Sequence, residues 1–206
     1  MYRPAAHVVD DTTGWQILAG ARAGHLVTAE AGSLDATFLP FLVDVGARRV
    51  LAHFARANPQ WRSADGARGL LIASGADAYI SPSYYATKRE TGKVVPTWNY
   101  TVVHVHGVLR IHDDDDWLRD LVSGLTDLHE RGREEPWAIT DAPAEYINRN
   151  LKAIVGVELV VDRLEAKRKL SQNRSSEDIA GVVDGLSRGT AIERAVAGEM
   201  QQSESG

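Results

Sequence analysis

The stretch WNYTVVHVHGVLRIH, residues 98–112, is dense in β-branched and aromatic residues and reads as one long strand. It closes a series. HLVT (25–28), ATFLPFLVD (36–44), RRVLAHFA (48–55), GLLIASG (69–75) and AYISPSYY (78–85) are shorter runs of the same composition, and Gly, Asp, Pro or Ser separates most of them. Their number and spacing predict a mainly β fold with peripheral helices. A closed or nearly closed antiparallel barrel fits better than alternating βα units.

Outward from this block the pattern turns helical. Residues 10–23 read as a short helix capped by Asp10 or Asp11, with Trp15, Leu18 and Ala19 on one face. Residues 113–132 carry the helical stripe Trp117, Leu118, Leu121, Leu125 and Leu128. Asp141 and Pro143 open a short helix near Tyr146 to Lys152. Residues 154–171 return to strand alternation, with Val155, Val157, Leu159 and Val161 on one side and Gly156, Glu158, Val160 and Asp162 on the other. Two helices follow. Ser175 with Asp178 and Thr190 with Glu193 are their capping signals, and residues 202–206 read as a frayed tail. The expected organisation is a barrel domain over 1–174 and a helical appendage with tail over 175–206.

The chain has 206 residues, of which 44% are hydrophobic and 25% charged, which excludes collagen-like and wholly disordered classes. With no Cys there is no disulfide framework, thiolate metal site or Cys nucleophile. The N-terminus lacks an apolar signal core, and no run reaches the roughly 18 apolar residues of a membrane span. A cytoplasmic protein with no membrane partner is the expectation. The net charge of -5 disfavours nucleic-acid binding through bulk charge, so DNA would need a local basic patch.

Three polar clusters interrupt the apolar strands. In LAHFARANPQW (51–61), Arg56 offers a planar fork suited to phosphate, and Asn58 with the turn before Pro59 could complete an anion nest; taken alone, the cluster reads better as a strand end with a turn, His53 being a satisfied barrel histidine. In YISPSYYATKRETGKVVPTWNY (79–100), Trp98 could stack on a flat ligand and Asn99 could bond its edge; a hairpin whose aromatics pack the barrel or an interface is the alternative. In RLEAKRKLSQNRSS (163–176), Lys167 and Lys169 share a strand face and are followed by Ser171, Gln172 and Asn173, which suits an anion; a solvated edge strand guarded by lysine is the other reading. His104 and His106 would share a face as two metal ligands do, but no third ligand stands at a fixed spacing. The DDDD run at 113–116 fits helix capping better than a cation site. No G-x-G-x-x-G, P-loop, G-x-S-x-G or H-E-x-x-H is present.

The segments HFARANPQW, AYISPSYY, VPTWNY, IVGVEL and KRKLSQNR, with the opening MYRP and GHLVT, resemble in order the signature segments of the PaiB family, the FMN-binding negative transcriptional regulators. The resemblance covers residues 1–186. It implies an FMN-binding split barrel similar to pyridoxamine-phosphate oxidase, working as a homodimer with flavin at the subunit interface. Carried over by motif, His53, Arg56 and Asn58 would hold the phosphate, and Ala36, Thr37, Phe38, Leu39 and Pro40 would line the isoalloxazine edge. Lys167, Lys169, Gln172 and Asn173 would approach from the neighbouring subunit. Where the family reads T-H-L-P, this chain has Phe38, which can pack on a ring but cannot make a histidine's hydrogen bond. Its S-P-S-W-Y is here Ser81-Pro82-Ser83-Tyr84-Tyr85. The implied function is an FMN-binding repressor, with DNA as an open partner. The alternatives are an FMN-dependent oxidoreductase, or a site for haem or another planar cofactor with His25, His104 or His106 as axial ligand.

Overall fold

The computed structural model describes residues 1–30 and 32–204. Six strands, β1 (Ala23–Glu30), β2 (Ser33–Asp44), β3 (Arg49–Ala55), β4 (Arg68–Ile80), β5 (Thr97–His112) and β6 (Ile154–Lys169), form a closed barrel in the order β1-β2-β3-β6-β5-β4. The helices are α1 (Asp11–Ala21), α2 (Thr87–Glu90), α3 (Asp115–Glu130), α4 (Ala144–Leu151), α5 (Ser176–Ser187) and α6 (Ala191–Glu204). Residues 202–204, expected to fray, continue α6, and 205–206 lie outside the described residues.

The helix starts follow the capping chemistry. Asp10 accepts from the Thr13 backbone at 3.0 Å and opens α1, and Asp114 accepts from Trp117 N at 2.8 Å and opens α3. Thr190 and Glu193 form a reciprocal box at α6, with Thr190 N donating to Glu193 at 2.7 Å and Glu193 N to Thr190 at 3.3 Å. The segments GLLIASG and AYISPSYY do not form two strands. β4 runs unbroken through Gly75 to Ile80, and SPSYY winds into a 3-10 turn (Pro82–Tyr84). Pro82 fixes φ there, and Ser81 Oγ accepts from Ser83 N at 3.2 Å.

The chain divides into two compact units. One comprises residues 18–73 and 104–164 and contains β1–β3, the adjoining parts of β4–β6, and α3 and α4. Its interior is lined by Leu26, Leu39, Phe41, Val50, Ala52, Leu71, Val157 and Leu159 around a void of only about 10 Å³. That is at most room for one water, so the inside of the barrel is core and not a ligand chamber. Residues Val155 to Leu159 of β6 are buried on both faces, not on alternate ones. The inner face meets this core. On the outer face, a Cβ at Gly156 would lie 2.2 Å from the Trp117 ring of α3, and Glu158 bonds His112 at 2.8 Å. Farther along, α3 approaches β2 so closely that a Cβ at Gly124 would stand 2.7 Å from Leu42.

The other unit comprises residues 1–17, 74–103 and 165–206. Its core joins Ile80, Tyr85 and Leu170 to Val182, Leu186, Val196 and Met200, so α5 and α6 supply interior side chains to this unit. Among the described residues no helix is long and apolar enough to cross a membrane.

The contact at Gly156 yields a packing test. Gly156→Ala is expected to cost about 2 kcal/mol in urea unfolding, because the Trp117 ring stacks flat on His112 at 4.1 Å and has little freedom to retreat. Combining it with Trp117→Leu should cost less than the sum of the two single changes.

Candidate functional site

In the barrel unit, the turn after β3 is tied to β1 and β2 through Gln60. Its Nε2 donates to Leu26 O at 3.1 Å, Thr28 Oγ1 at 3.1 Å and Asp35 O at 3.3 Å. Its Oε1 accepts from Thr37 at 2.5 Å. Leu26 and Leu39 line the barrel interior, and Thr28 and Thr37 are the next inward positions on their strands, so Gln60 closes that end of the barrel. Asn58 completes the network: its Nδ2 donates to Thr37 at 2.8 Å, and its Oδ1 accepts from Gln60 N at 3.0 Å. Thr37 and Asn58, drawn from separate sequence clusters, therefore stand in direct contact. Gln60 was not singled out in the sequence; its place in NPQW behind a capping Asn was the available signal.

Arg56 has a different setting from the one its motif suggested. Its guanidinium donates to Lys152 O at 2.7 Å, to Ile154 O at 2.9 Å and, through both terminal nitrogens, to Asp113, one bond measuring 2.9 Å. Four bonds commit the fork to joining the end of β3 to the start of β6 and the run before α3. The guanidinium beside Asp113 holds that carboxyl below the usual range. Within DDDD, Asp113 serves Arg56 while Asp114 caps α3.

The strand alternation of β2 leaves apolar side chains in the open. Leu34 is 73% exposed and Phe38 62%, with Ala36 and Pro40 also exposed in the same outward row. Phe38 meets the His25 ring edge-on at 5.1 Å. His53 faces outward from β3 and lines a groove with Pro40 and residues of α3. His104 and His106 lie edge to face with centroids 6.4 Å apart.

In the other unit, Lys167 and Lys169 lie on one face of β6. Lys167 is only 8% exposed; its ammonium sits 5.1 Å from the Tyr100 ring and 5.9 Å from that of Tyr2. Lys169 donates to Trp98 O at 2.7 Å and to Thr97 Oγ1. Burial, with the charges of Lys167 and Arg174, holds Lys169 below the ordinary lysine range despite a raising influence from Tyr100. Among the described residues no carboxylate pairs with either ammonium. Beside them an open cleft of about 280 Å³ is walled by Asp77, Trp98, Tyr100 and Thr101, with Trp98 Nε1 donating to Asp77 at 2.7 Å. Tyr2 and Tyr100 escaped the sequence reading.

The remaining candidates of that unit shape the loop. Asn99 is fully buried, exchanges hydrogen bonds with Ser171 at 3.0 and 3.2 Å, and holds that residue in a left-handed conformation (φ 68°). Gln172 accepts from Leu170 N at 2.8 Å and donates to Arg168 O at 2.9 Å. Asn173 is exposed in the same turn.

Two measurements probe these assignments. Gln60→Leu should lower unfolding free energy by about 3 kcal/mol, since it strands Thr28, Thr37 and two strand carbonyls inside the barrel end. For His53, burial holds the imidazole below its ordinary pKa. Below about pH 6.5 the unfolded chain gains a proton there that the folded chain refuses, so stability falls as pH drops through that window; above it both states are neutral and His53 contributes nothing. Urea midpoints of the wild type should therefore decline more steeply from pH 7.5 to 5.5 than those of His53→Phe. Parallel curves would contradict the assignment.

Comparison with known proteins bears on what this arrangement holds. Residues 1–163 match the family model described as "Putative FMN-binding domain". The chain is 33% identical over 175 residues to the "Protease synthase and sporulation protein PAI 2" of Bacillus subtilis, covering 84% of this chain and 82% of that protein. Among solved structures it is similar in fold to the flavocytochrome Anf3 from Azotobacter vinelandii (18% identity, TM-score 0.60, 85% of this chain and 75% of that one). It is likewise similar to an FAD- and haem-binding protein from Mycobacterium smegmatis (17% identity, TM-score 0.61, 85% and 79%). The long match to the family model and the identity to PAI 2 across most of both chains agree with the barrel and the motifs: the protein belongs to the PaiB-like family of FMN-binding-domain proteins.

Proposed function

We propose that the protein binds FMN between two copies of itself and acts as a flavin-dependent regulator of the PaiB type. The observation that carries the reading is the Lys167–Lys169 pair, one ammonium buried and the other half-buried against the Tyr100 ring, with no carboxylate paired to either among the described residues. Holding a second ammonium beside the buried one of Lys167 is unfavourable unless an anion relieves them. A flavin mononucleotide offers a phosphate of about two negative charges and a planar ring with a hydrogen-bonding edge. The lysines, with Trp98 beside them, suit the phosphate end. The backbone of Ala36–Pro40, presented by the other protomer, suits the ring edge, with Asn58 bracing it through Thr37. Arg56 supports this arrangement by fixing the loop that carries Asn58.

The homodimer reading is supported by the row Leu34, Ala36, Phe38 and Pro40, an apolar stripe that association would remove from water. When bound, the flavin supplies a two-electron redox centre; the chain's own residues bind it, orient it and exclude water. Repression as the output, and a cytoplasmic setting, come from the PaiB resemblance. With a pI near 5.8, direct DNA binding would have to come from local charge, and a gel shift that weakens steeply with added salt would show it.

Flavin titration decides between phosphate recognition and general ring binding. Lys167→Ala with Lys169→Ala is expected to raise the FMN dissociation constant about 100-fold or more while leaving riboflavin, which lacks the phosphate, nearly unaffected. Equal losses for both ligands, or none for either, would overturn the lysine assignment. Leu34→Asp with Phe38→Asp should shift the protein toward monomer in sedimentation and weaken FMN binding in parallel.

A further inference from the structure

Lys167 stands between two tyrosine rings that reach it from the two edges of β6. Tyr100, 5.1 Å from the ammonium, belongs to β5, which borders β6 in the sheet. Tyr2, at 5.9 Å, belongs to the first eight residues of the chain. β3 pairs with β6 only over residues 154–160, and farther along that edge Val8 bridges Lys167 in antiparallel sense. The segment is pinned at both ends. Glu165, two residues before Lys167 on the same face of β6, accepts from the Met1 nitrogen at 2.9 Å and pairs with Arg3 at 3.7 Å. Beyond Pro4 a 3-10 turn (Ala5–His7) follows, and His7 Nδ1 meets Gln172 Oε1 at 3.2 Å. The residues on either side of Tyr2 are thus held, yet Tyr2 itself is 83% exposed. A ring left that open on an anchored backbone has surface to bury and little freedom to lose when a ligand arrives.

We propose that residues 1–8 form a strap closing the phosphate end of the lysine site, and that Tyr2 makes the site specific for a mononucleotide. This role presupposes the flavin reading above and adds to it where the ligand must end. The two flanks of the lysines differ in room. On the Tyr100 side the cleft of about 280 Å³ is open and leaves space for the body of a ligand. On the Tyr2 side the strap runs along the edge of β6. A phosphomonoester terminates at the lysines and fits this arrangement. In a dinucleotide such as FAD the same phosphorus carries a second phosphate and a nucleoside, and these would have to pass through the space that Tyr2 and the strap occupy. The ring excludes that continuation by its bulk. Against a terminal phosphate it shields the pair of opposite charges from water, which strengthens their attraction. Neither effect requires the tyrosine hydroxyl.

The test uses the full-length protein, freed of flavin and titrated with FMN, FAD and riboflavin. Wild type is expected to favour FMN over FAD by about tenfold or more. Tyr2→Ala should shrink that preference by about tenfold, chiefly by admitting FAD, while Tyr2→Phe keeps it. Riboflavin, which lacks the phosphate, should not distinguish the variants from wild type. In the wild type the Tyr2 ring resonances should shift with FMN, and with inorganic phosphate alone, but not with riboflavin. A wild type without preference, the same FMN-to-FAD ratio in wild type and Tyr2→Ala, or Tyr2 resonances unmoved at saturating phosphate overturns the proposal. The resonance measurement needs no variant, so a Tyr2→Ala protein that failed to fold would leave the decision intact. Failure of the flavin reading looks different. It shows as the Lys167→Ala with Lys169→Ala protein losing FMN and riboflavin equally, or neither, whereas an unchanged FMN-to-FAD ratio in Tyr2→Ala removes the strap's role alone.

Discussion

Leu26, Phe41, Val157 and their neighbours fill the barrel so fully that about 10 Å³ remains among them. Such a barrel cannot enclose a cofactor. It works instead as a rigid frame, and binding groups must be borne on its outer faces, its loops and the strand extensions beyond it. The closed ladder joins the strand backbones, and Gln60 adds bonds to the carbonyls of Leu26 in β1 and Asp35 in β2. Because that glutamine also holds Thr37, and through it Asn58, the same network that closes the core fixes the residues nearest the expected ring edge. Stability and site geometry are thus coupled through one side chain.

The cationic end follows another logic. Lys167 and Lys169 are immobilised by Tyr2, Tyr100, Thr97 and the Trp98 carbonyl, contacts that orient ammonium groups without neutralising them. Aromatic faces return part of the lost hydration, but only part. Arg68 with Asp162 and Arg188 with Asp184 show that this chain does pair its surface cations with carboxylates. Lys167 departs from that habit where burial makes a departure expensive.

The strands and caps were legible because their signals are local. Asp10, Asp114 and Thr190 cap the helices their positions announced, and the alternation of β5 survives as a sixteen-residue strand. The failures came where tertiary contact overrides pattern. Gly75 looked like punctuation, yet β4 passes through it, with Thr101 beneath at 3.3 Å from where a Cβ would stand. Strand alternation put Gly156 and Glu158 opposite the valines of β6, yet that side is buried too, because α3 lays Trp117 over Gly156. Neither partner is near in sequence, so no window could have shown it. The gathering of Thr37 with Asn58 and of Trp98 with Lys169 was likewise invisible to spacing, and only the family resemblance grouped such residues beforehand.

Motif residues need not be ligand residues, and the polar ones here divide by what their bonds already satisfy. Arg56 has its fork filled by Asp113 and two carbonyls, and Asn99 has its amide filled by Ser171. Each shapes a loop, and each would have to break several bonds to meet a ligand. Lys167 and His53 are the reverse: the buried ammonium of Lys167 faces aromatic rings and no carboxylate, and the buried Nδ1 of His53 has no hydrogen-bond partner among the described residues. Within ATFLP the division falls between adjacent residues. Thr37 turns inward and its hydroxyl is consumed by Gln60 and Asn58, while Phe38 turns outward with most of its ring exposed. Side-chain hydrogen bonding by this segment is therefore spent inside the barrel end, and what it presents outward is backbone and apolar surface. A flat ring laid against it would be recognised by shape and by main-chain groups, which a phenylalanine at position 38 leaves intact.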